Sequence, residues 1–434
     1  MKKYFELDQL GTNVKTEFIA GLTTFLSMAY ILFVNPSTLA AEGTGMDAGA
    51  VFTATAIAAA IGTLMMGLYA KYPVALAPGM GLNAFFAYTV VLGYGIPWQT
   101  ALSAIFVSGI LFMLLSISGV REKIINTIPA ALKQAVGAGI GLFIAFIGFQ
   151  NAGIIVADSA TVATLGDLTN GPTALAIFGL IITVILIVLK VNGGIFYGMV
   201  ITAVAGMVFS LVPLPTRIFS LAPSLTPTFG QAFLNLGDLF SIEMVAVILT
   251  FLFVDFFDTA GTLVAVAKKA GIMKGNELPR ANKALLADAS ASVVGSVLGT
   301  STTTAYVESA TGVSAGGRSG LTAVFTALFF ILSLFFSPLL DVVTSAVTAP
   351  ALIIVGVMMA TALKEIEWED FAVAVPAFLT IIIMPLSYSI ATGIAVGFTF
   401  YPITMVASGK AKKVHPLMWA LAIIFVLYLV FLAE

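Results

Sequence analysis

Three carboxylates lie inside long apolar stretches of the sequence, where a charge is costly. Asp255 and Asp258 interrupt the run that begins near residue 243, and Glu308 follows a series of threonines. An ionisable side chain at the centre of a bilayer costs about 3 kcal/mol on insertion scales, so such a residue indicates function. Because no lysine or arginine lies within these two stretches, the expected partner of the acids is a proton, a cation or a ligand with N–H donors.

The spacing of two of these acids predicts proton chemistry. Asp255 and Asp258 are three positions apart, on one side of a helix, and Thr259 continues the stripe. Two carboxylates this close do not both ionise readily in a low dielectric, so we expect one to hold a proton. The alternative is an acid with a structural role, kept protonated by neighbouring hydroxyls. Asp288 and Asp341 lie near the ends of apolar stretches, where we expect interfacial solvation.

Two apolar stretches are interrupted by poor helix formers. Residues 77–81 read Ala-Pro-Gly-Met-Gly, and residues 299–304 read Gly-Thr-Ser-Thr-Thr-Thr. Non-helical backbone at membrane depth is tolerated only where it is buried or lines a cavity, and a matched pair of such segments indicates the binding site of a secondary transporter. Asn83 follows the first interruption, so we expect it to contact a ligand. The alternative is that proline and glycine merely kink two helices.

The elements that position these residues are membrane-spanning helices. The chain has 434 residues, of which 60% are hydrophobic and 9% charged, whereas soluble domains are about 45–50% apolar and about 25% charged. This composition excludes an ordinary soluble enzyme, a nucleic-acid binder and a disordered protein. The absence of cysteine excludes disulfides and thiolate metal sites. Apolar runs predict about fourteen spans, at residues 18–34, 49–70, 75–93, 98–118, 132–154, 172–190, 194–213, 243–267, 284–300, 303–316, 318–340, 343–363, 371–388 and 389–407.

The basic residues predict the orientation of the chain in the plasma (inner) membrane. With fourteen spans, Arg217 alone among the 19 lysines and arginines falls on the outer side, which places the N-terminus in the cytoplasm. The polar N-terminal segment lacks the pattern of a cleavable signal peptide. A further apolar run at 415–432 either crosses the membrane or lies along the interface, so the side of the C-terminus stays open. No phosphate-binding loop is present in the sequence, so ATP-driven transport by this chain alone is not expected.

The interrupted segments lie at matching positions of two halves. Thr-Phe-Leu at residues 24–26 of span 1 recurs at residues 250–252 of span 8, and the same offset aligns the interruptions of spans 3 and 10. Seven spans per half is an odd number, so the halves are expected to be inverted relative to each other. The predicted fold is an all-α polytopic membrane protein of two inverted seven-span repeats.

Three strings together resemble the AzgA-like hypoxanthine/guanine/adenine permeases, which belong with the uracil, xanthine and ascorbate permeases. They are Ala-Pro-Gly-Met-Gly-Leu-Asn-Ala-Phe-Phe at 77–86, Asp-Phe-Phe-Asp-Thr-Ala-Gly-Thr at 255–262 and Thr-Thr-Ala-Tyr-Val-Glu-Ser at 303–309. The resemblance covers essentially the full chain. It implies a transporter rather than an enzyme, which takes up a purine base together with a proton. It also implies short strands in spans 3 and 10 that meet midway through the membrane, with the substrate between them and span 8.

The resemblance also implies roles for individual residues. Asp255 and Glu308 match the acids that hydrogen-bond the purine, and Asp258 and Asn83 match positions needed for transport. This agrees with the chemistry of a purine, a planar neutral ring whose N–H groups donate to carboxylates. We expect no cofactor and no metal. The complete predicted site comprises Asn83, Phe85, Asp255, Asp258, Thr259, Thr304, Tyr306 and Glu308, with Phe85 or Tyr306 stacking on the base, Asp255 and Asp258 coupling the proton, and Thr259 and Thr304 in support.

By the same resemblance, four segments form two domains. Residues 1–118 (spans 1–4) and 242–341 (spans 8–11) form a core domain. Residues 119–241 (spans 5–7) and 342–434 (spans 12–14 with the C-terminal run) form a gate domain. The expected partners are a purine nucleobase, a proton and the lipid bilayer, with no nucleic acid, and a homodimer is left open.

Other functions were weighed against purine transport. An anion transporter on the same fold, for bicarbonate or sulfate, needs a lysine or arginine at the site, and spans 3, 8 and 10 contain none. An intramembrane aspartyl protease needs two acids on separate elements, and its Gly-x-Gly-Asp string is absent. A channel explains the acids and the repeat less well than alternating access does. The preferred purine, and the choice between H⁺ and Na⁺, stay open.

Overall fold

The chain folds into helices at all of the predicted spans, which confirms the predicted fold class. The computed structural model describes residues 2–118, 128–273 and 278–431. Within these residues, nine helices are long and apolar enough to cross a membrane. Apart from the interrupted spans 3 and 10, the helical bounds are Val14–Met28 and Ile31–Leu39 (span 1), Ala48–Met65 (2), Trp98–Ser118 (4), Ala130–Asn151 (5), Gly171–Val188 (6), Gly194–Val208 (7), Ile242–Ala270 (8), Ala281–Leu298 (9), Gly320–Ser333 (11), Ser345–Ala360 (12), Phe371–Ser387 (13) and Ile390–Ala407 (14).

Spans 3 and 10 are broken into a strand followed by a helix, as predicted. In span 3, strand β1 (Leu76–Pro78) leads into the short helix Met80–Ala84 and then into a π-helix at Phe85–Gly93. In span 10, a strand at Thr303–Ala305 precedes the helix Ser309–Ser314. The two strands pair antiparallel, and Ala77 lies opposite Thr304. Antiparallel pairing of two equivalent strands is the arrangement that inverted repeats require, because each repeat supplies its strand in the opposite direction.

The residue types of these segments explain why they do not continue as helices. Threonine is β-branched and favours extended backbone, and proline lacks the N–H that a helix needs. Gly79 follows β1 where the two chains approach closely, since a Cβ atom there would lie 2.7 Å from Cγ2 of Thr304. Glycine is therefore the residue that lets the two broken segments meet.

The spans pack in two groups. In one group, span 1 packs on spans 10 and 11, span 2 on spans 9 and 11, and span 4 on spans 8 and 9. In the other, span 5 packs on spans 12, 13 and 14, and span 12 also packs on spans 6 and 7. Span 3, which belongs with the first group, contacts span 5 of the second group. Span 8 contacts spans 5 and 14 of the second group. The site residues on spans 3, 8 and 10 thus lie close to where the groups meet.

Two elements of the structure lie outside the fourteen spans. A hairpin that the sequence did not predict follows span 5 and consists of β2 (Ile155–Asp158) and β3 (Val162–Leu165), so the strand of span 10 is β4. The C-terminal run forms the helix Pro416–Phe431, which packs on span 14. Its Tyr428 hydroxyl lies 2.7 Å from that of Tyr94, just after span 3, so this helix returns along the length of span 14.

Candidate functional site

Glu308 lies three residues after the end of β4, at the N-cap of the helix of span 10. Its side chain is buried, and its Oε1 accepts a hydrogen bond of 2.6 Å from the hydroxyl of Tyr30. Tyr30 occupies the break between the two helices of span 1. Sequence reasoning did not identify Tyr30 as a site residue, although a tyrosine in an apolar span usually needs a hydrogen-bond partner, which is a usable signal.

Asp255 and Asp258 belong to one helix and have different surroundings. Asp255 is 2% exposed, and its Oδ2 accepts from the Ser292 hydroxyl of span 9 at 3.3 Å. Asp258, three residues further along the helix, is half-buried. The structure therefore directs at least one oxygen of Asp255 towards span 9 and leaves Asp258 partly accessible.

Asp288 is a buried part of the site, so its predicted solvation at a span end is wrong. The helix of span 9 begins at Ala281, which places Asp288 about two turns inside it, and its side chain is fully buried. The Thr259 hydroxyl lies 2.9 Å from each of its carboxylate oxygens. The Thr304 hydroxyl of β4 lies 2.7 Å from that of Thr259. A chain of hydroxyls thus links the strand pair to a buried acid.

Asp341, in contrast, is exposed in the segment that ends span 11, as predicted. The helix of span 11 continues as a 3₁₀-helix over Leu334–Val342, and Asp341 lies in this continuation. Asp341 therefore lies apart from the buried acids and takes no part in the candidate site.

Asn83 presents a donor at the strand pair. It is fully buried in the short helix of span 3, and its Oδ1 accepts from the hydroxyl of Ser301. Among the described residues, its Nδ2 has no hydrogen-bond partner. A buried amide N–H without a partner costs free energy, so its presence indicates a position for a ligand acceptor. The ligand contact of Asn83 stays a prediction.

The two aromatic residues of the predicted site are already packed. Phe85 is fully buried, and its ring meets that of Phe251 edge-on at 4.9 Å between centroids. The Tyr306 hydroxyl donates to the carbonyl of Pro78 at 2.5 Å, and its backbone N–H donates to Ala75. Tyr306 therefore joins the ends of the two strands. A ligand ring can stack only on those parts of the Phe85 and Tyr306 rings that these contacts leave uncovered.

A second buried amide, which the sequence reasoning missed, holds the segment that leads into β4. Asn35 in span 1 donates from Nδ2 to the hydroxyls of Thr55 (2.7 Å) and Thr300 (2.8 Å). An asparagine inside an apolar span is a signal similar to that of the acids, because it also needs partners there. Its bonds join spans 1 and 2 to the interrupted segment of span 10.

The chemistry of the site is that of carboxylates surrounded by hydroxyls. Three buried acids of the site each accept a hydrogen bond from a hydroxyl. Glu308 accepts from Tyr30, Asp255 from Ser292 and Asp288 from Thr259. Among the described residues, no group of three or more His, Cys, Asp or Glu side chains is arranged to hold a metal ion. Such a site can accept N–H donors from a neutral ligand and can exchange protons.

The chain is similar to known membrane transporters over nearly its whole length. The chain is 64% identical to the guanine/hypoxanthine permease PbuG of Bacillus subtilis (strain 168), over the whole of both chains. It is 43% identical to the adenine permease AdeP of Escherichia coli (strain K12), over 100% of this chain and 96% of that one. Among solved structures, the transmembrane domain of the cyanobacterial bicarbonate transporter BicA has the same fold, with a TM-score of 0.66 and 14% identity over 91% of this chain and 97% of that one.

A family model described as Permease family matches residues 15–396. This match contains all of the predicted site residues and all fourteen spans up to the middle of the last. The chain is therefore a multi-pass membrane protein that belongs to the xanthine/uracil permease family.

Proposed function

We propose that this protein imports purine nucleobases, namely hypoxanthine, guanine or adenine, together with a proton. The observation that carries the proposal is the position of two buried polar groups at the strand pair, the Glu308 carboxylate three residues after β4 and the amide donor of Asn83, unpaired among the described residues, five residues after β1. A carboxylate acceptor then lies at one end of the strand pair, after β4, and an amide donor lies at the other end, after β1. A purine carries N–H donors and ring acceptors in one plane, which is the complementary pattern.

Each predicted residue takes a stated part in this proposal. Glu308 and Asp255 accept from the N–H groups of the base, and Asn83 donates to a ring nitrogen or carbonyl. Phe85 and Tyr306 flank its face. Asp255 and Asp258 exchange the coupled proton, while Thr259 and Thr304 hold the strand pair against span 9. Protonation from outside favours the loaded form, and proton loss inside favours release.

Transport follows from movement of one group of spans against the other. We assign spans 1–4 and 8–11 to the core domain, and spans 5–7 and 12–14 with the C-terminal helix to the gate domain, with boundaries after residues 118, 241 and 341. The packing of the spans in two groups supports this division. The paired strands both belong to the core, so the acids move with the bound base.

The membrane arrangement is part of the same proposal. Arg217 alone among the basic residues lies on the outer side, so the N-terminus is cytoplasmic in the plasma membrane. The helix Pro416–Phe431 returns along span 14 and brings Tyr428 beside Tyr94, so the C-terminus lies outside. A homodimer stays open.

Anion transport is the second candidate and has less support. The bicarbonate transporter of similar structure shares only 14% identity, which indicates a common fold and not a common substrate. The relatives that are 64% and 43% identical are named as purine permeases. The protease alternative is weaker still, because Asp255 and Asp258 lie on one helix instead of two facing elements.

Uptake of labelled bases tests the proposal. Hypoxanthine, guanine, adenine and uracil are supplied to cells that lack their own permeases, with and without a protonophore. We expect purine uptake that the protonophore abolishes, with little uptake of uracil. Well-folded protein in the membrane without purine uptake would contradict the proposal, and bicarbonate and sulfate would be tested next.

A further inference from the structure

A cavity lies at the C-terminal end of span 3, away from the paired strands. Its volume is about 480 Å³, within the range of about 300–1,000 Å³ that is usual for small-molecule sites. It is formed by the end of the π-helix of span 3, the turn between spans 13 and 14, and Tyr428 of the C-terminal helix. It therefore lies where the core meets the gate on the side proposed to face outward.

The lining of this cavity is aromatic, hydroxyl-rich and uncharged. Four of its ten lining residues are tyrosines, at positions 88, 94, 388 and 428, and Thr89 and Ser389 add further hydroxyls. None of the ten is charged. A hydroxyl both donates and accepts hydrogen bonds, and an aromatic face stacks on a planar ring. This chemistry fits a neutral, planar heteroaromatic base and disfavours an anion.

Tyr388 is held in an unusual position by several contacts. Its φ of +56° places a bulky residue in the left-handed region, which costs about 1–2 kcal/mol. Its hydroxyl donates to Gln150, and its ring meets Phe143 edge-on at 5.5 Å. Its carbonyl accepts from the Thr89 hydroxyl at 3.0 Å. Strain that the surroundings hold in place is typical of functional positions. The centroid of the Tyr388 ring lies 6.3 Å from that of Tyr88, with the two rings nearly perpendicular.

One helical segment connects this cavity to the candidate site at the strands. The π-helix Phe85–Gly93 begins at Phe85, two residues after Asn83, and contains Tyr88 and Thr89 of the cavity. Segments of π-helix occur frequently at functional sites. The cavity and the Asn83–Phe85 part of the candidate site are therefore carried by one continuous segment of span 3.

We propose that this cavity is an outer binding site, which holds the nucleobase before it enters the central site. The inference rests on the proposed function, because it takes the ligand to be the transported base. The ring of Tyr388 stacks on the base, Tyr88 meets the base edge-on because the two rings are nearly perpendicular, and the hydroxyls of Thr89, Tyr94 and Ser389 exchange hydrogen bonds with its edge. The uncharged lining keeps binding weaker than at the acids, so the base passes on.

Protection of an introduced cysteine tests the outer site directly. Leu92 lines the cavity and is exposed, and the chain has no cysteine of its own. Leu92→Cys is labelled from outside with a membrane-impermeant methanethiosulfonate, in the Glu308→Gln background that disables the central site. We expect hypoxanthine to slow labelling several-fold. Adding Tyr388→Ala should remove this protection, whereas Tyr388→Phe, which keeps the ring, should retain most of it.

The controls separate failure of the outer site from failure of the proposed function. Leu221→Cys, in the exposed connection after span 7, should be labelled at a rate that hypoxanthine does not change. If Glu308→Gln does not reach the membrane, Asn83→Ala replaces it. Absence of labelling at Leu92→Cys, or labelling that hypoxanthine does not slow while the unsubstituted chain still takes up purine, would overturn the outer site. No purine uptake by the unsubstituted chain would instead contradict the proposed function.

Discussion

The hydroxyl of Tyr30 donates to Oε1 of Glu308 across 2.6 Å, and this bond joins the break in span 1 to the break in span 10. Both side chains are buried. The tyrosine thereby orients the carboxylate that we assign to the purine, and it leaves the second carboxylate oxygen for the ligand. Several expected outcomes follow from this geometry and from the contacts around it.

Substitution Tyr30→Phe removes the donor and keeps the ring. A hydrogen bond to a charged group contributes about 1.5–3 kcal/mol, so we expect the KM for purine uptake to rise about tenfold or more. The measurement is uptake of labelled hypoxanthine at a series of concentrations, normalised to the protein in the membrane. An unchanged KM would show that Glu308 does not depend on Tyr30 for its orientation.

Substitution Glu308→Gln tests the acceptor itself. The amide keeps the size of the side chain and loses the charge, so binding of hypoxanthine to purified protein should weaken by about tenfold to a hundredfold. Glu308→Asp, which keeps the charge but shortens the side chain, is the matched comparison. Equal affinity in all three proteins would remove Glu308 from the site.

Substitution Thr259→Val should destabilise the fold, because the buried carboxylate of Asp288 loses a donor. A buried polar group that loses its hydrogen bond costs about 1–3 kcal/mol, so the Tm of the purified protein should fall by several degrees. Thr262→Val, one turn further along the same helix, is the control and should lower Tm much less. Similar Tm values for both variants would mean that the Thr259–Asp288 contact does not stabilise the fold.

Cross-linking tests the proposed movement of core against gate. The Tyr94 hydroxyl lies 3.2 Å from the Ser389 hydroxyl, and these residues belong to different domains in our assignment. With Tyr94→Cys and Ser389→Cys combined, a short bifunctional thiol reagent added from outside should stop uptake, and a reductant should restore it. The two single variants control for labelling alone. Full transport by cross-linked protein would argue against the movement.

The pH dependence of one ion pair, between the connections before span 13 and after span 14, provides a test outside the membrane-spanning helices. The Lys410 ammonium, 2.6 Å from Oδ2 of Asp370, lowers the pKa of that carboxyl. A lowered pKa means that the stabilising contribution is present at neutral pH and is lost as the pH falls through that value. The Tm difference between the unsubstituted protein and Lys410→Met should therefore be small at neutral pH and vanish on acidification. A difference that grows as the pH falls would contradict this assignment.

Local sequence signals were sufficient for the spans and for the acids inside them. Asp255 and Glu308 were identifiable because a carboxylate in a long apolar run stands out without any knowledge of packing. The strands of spans 3 and 10 were expected from the resemblance, and proline, glycine and threonine explain them locally. Their register required the structure, since pairing depends on how the two halves meet.

The features that the sequence did not reveal depend on tertiary contacts. The apolar run predicts a span that begins at residue 284, which puts Asp288 near its end. The helix instead begins at Ala281, and Asp288 is buried against span 8. Tyr30 and Asn35 have partners distant in sequence, at Glu308 and Thr300. The hairpin after span 5 is formed by two four-residue strands, too short to produce a clear alternating pattern.

Proton movement driven by a purine tests the central claim most directly. Purified protein is reconstituted into liposomes with a trapped pH dye, the membrane potential is clamped to zero, and hypoxanthine is added outside. We predict acidification inside that follows hypoxanthine entry, and its loss in Asp255→Asn although that variant is folded. Entry of hypoxanthine without any proton movement in the unsubstituted protein would contradict the account.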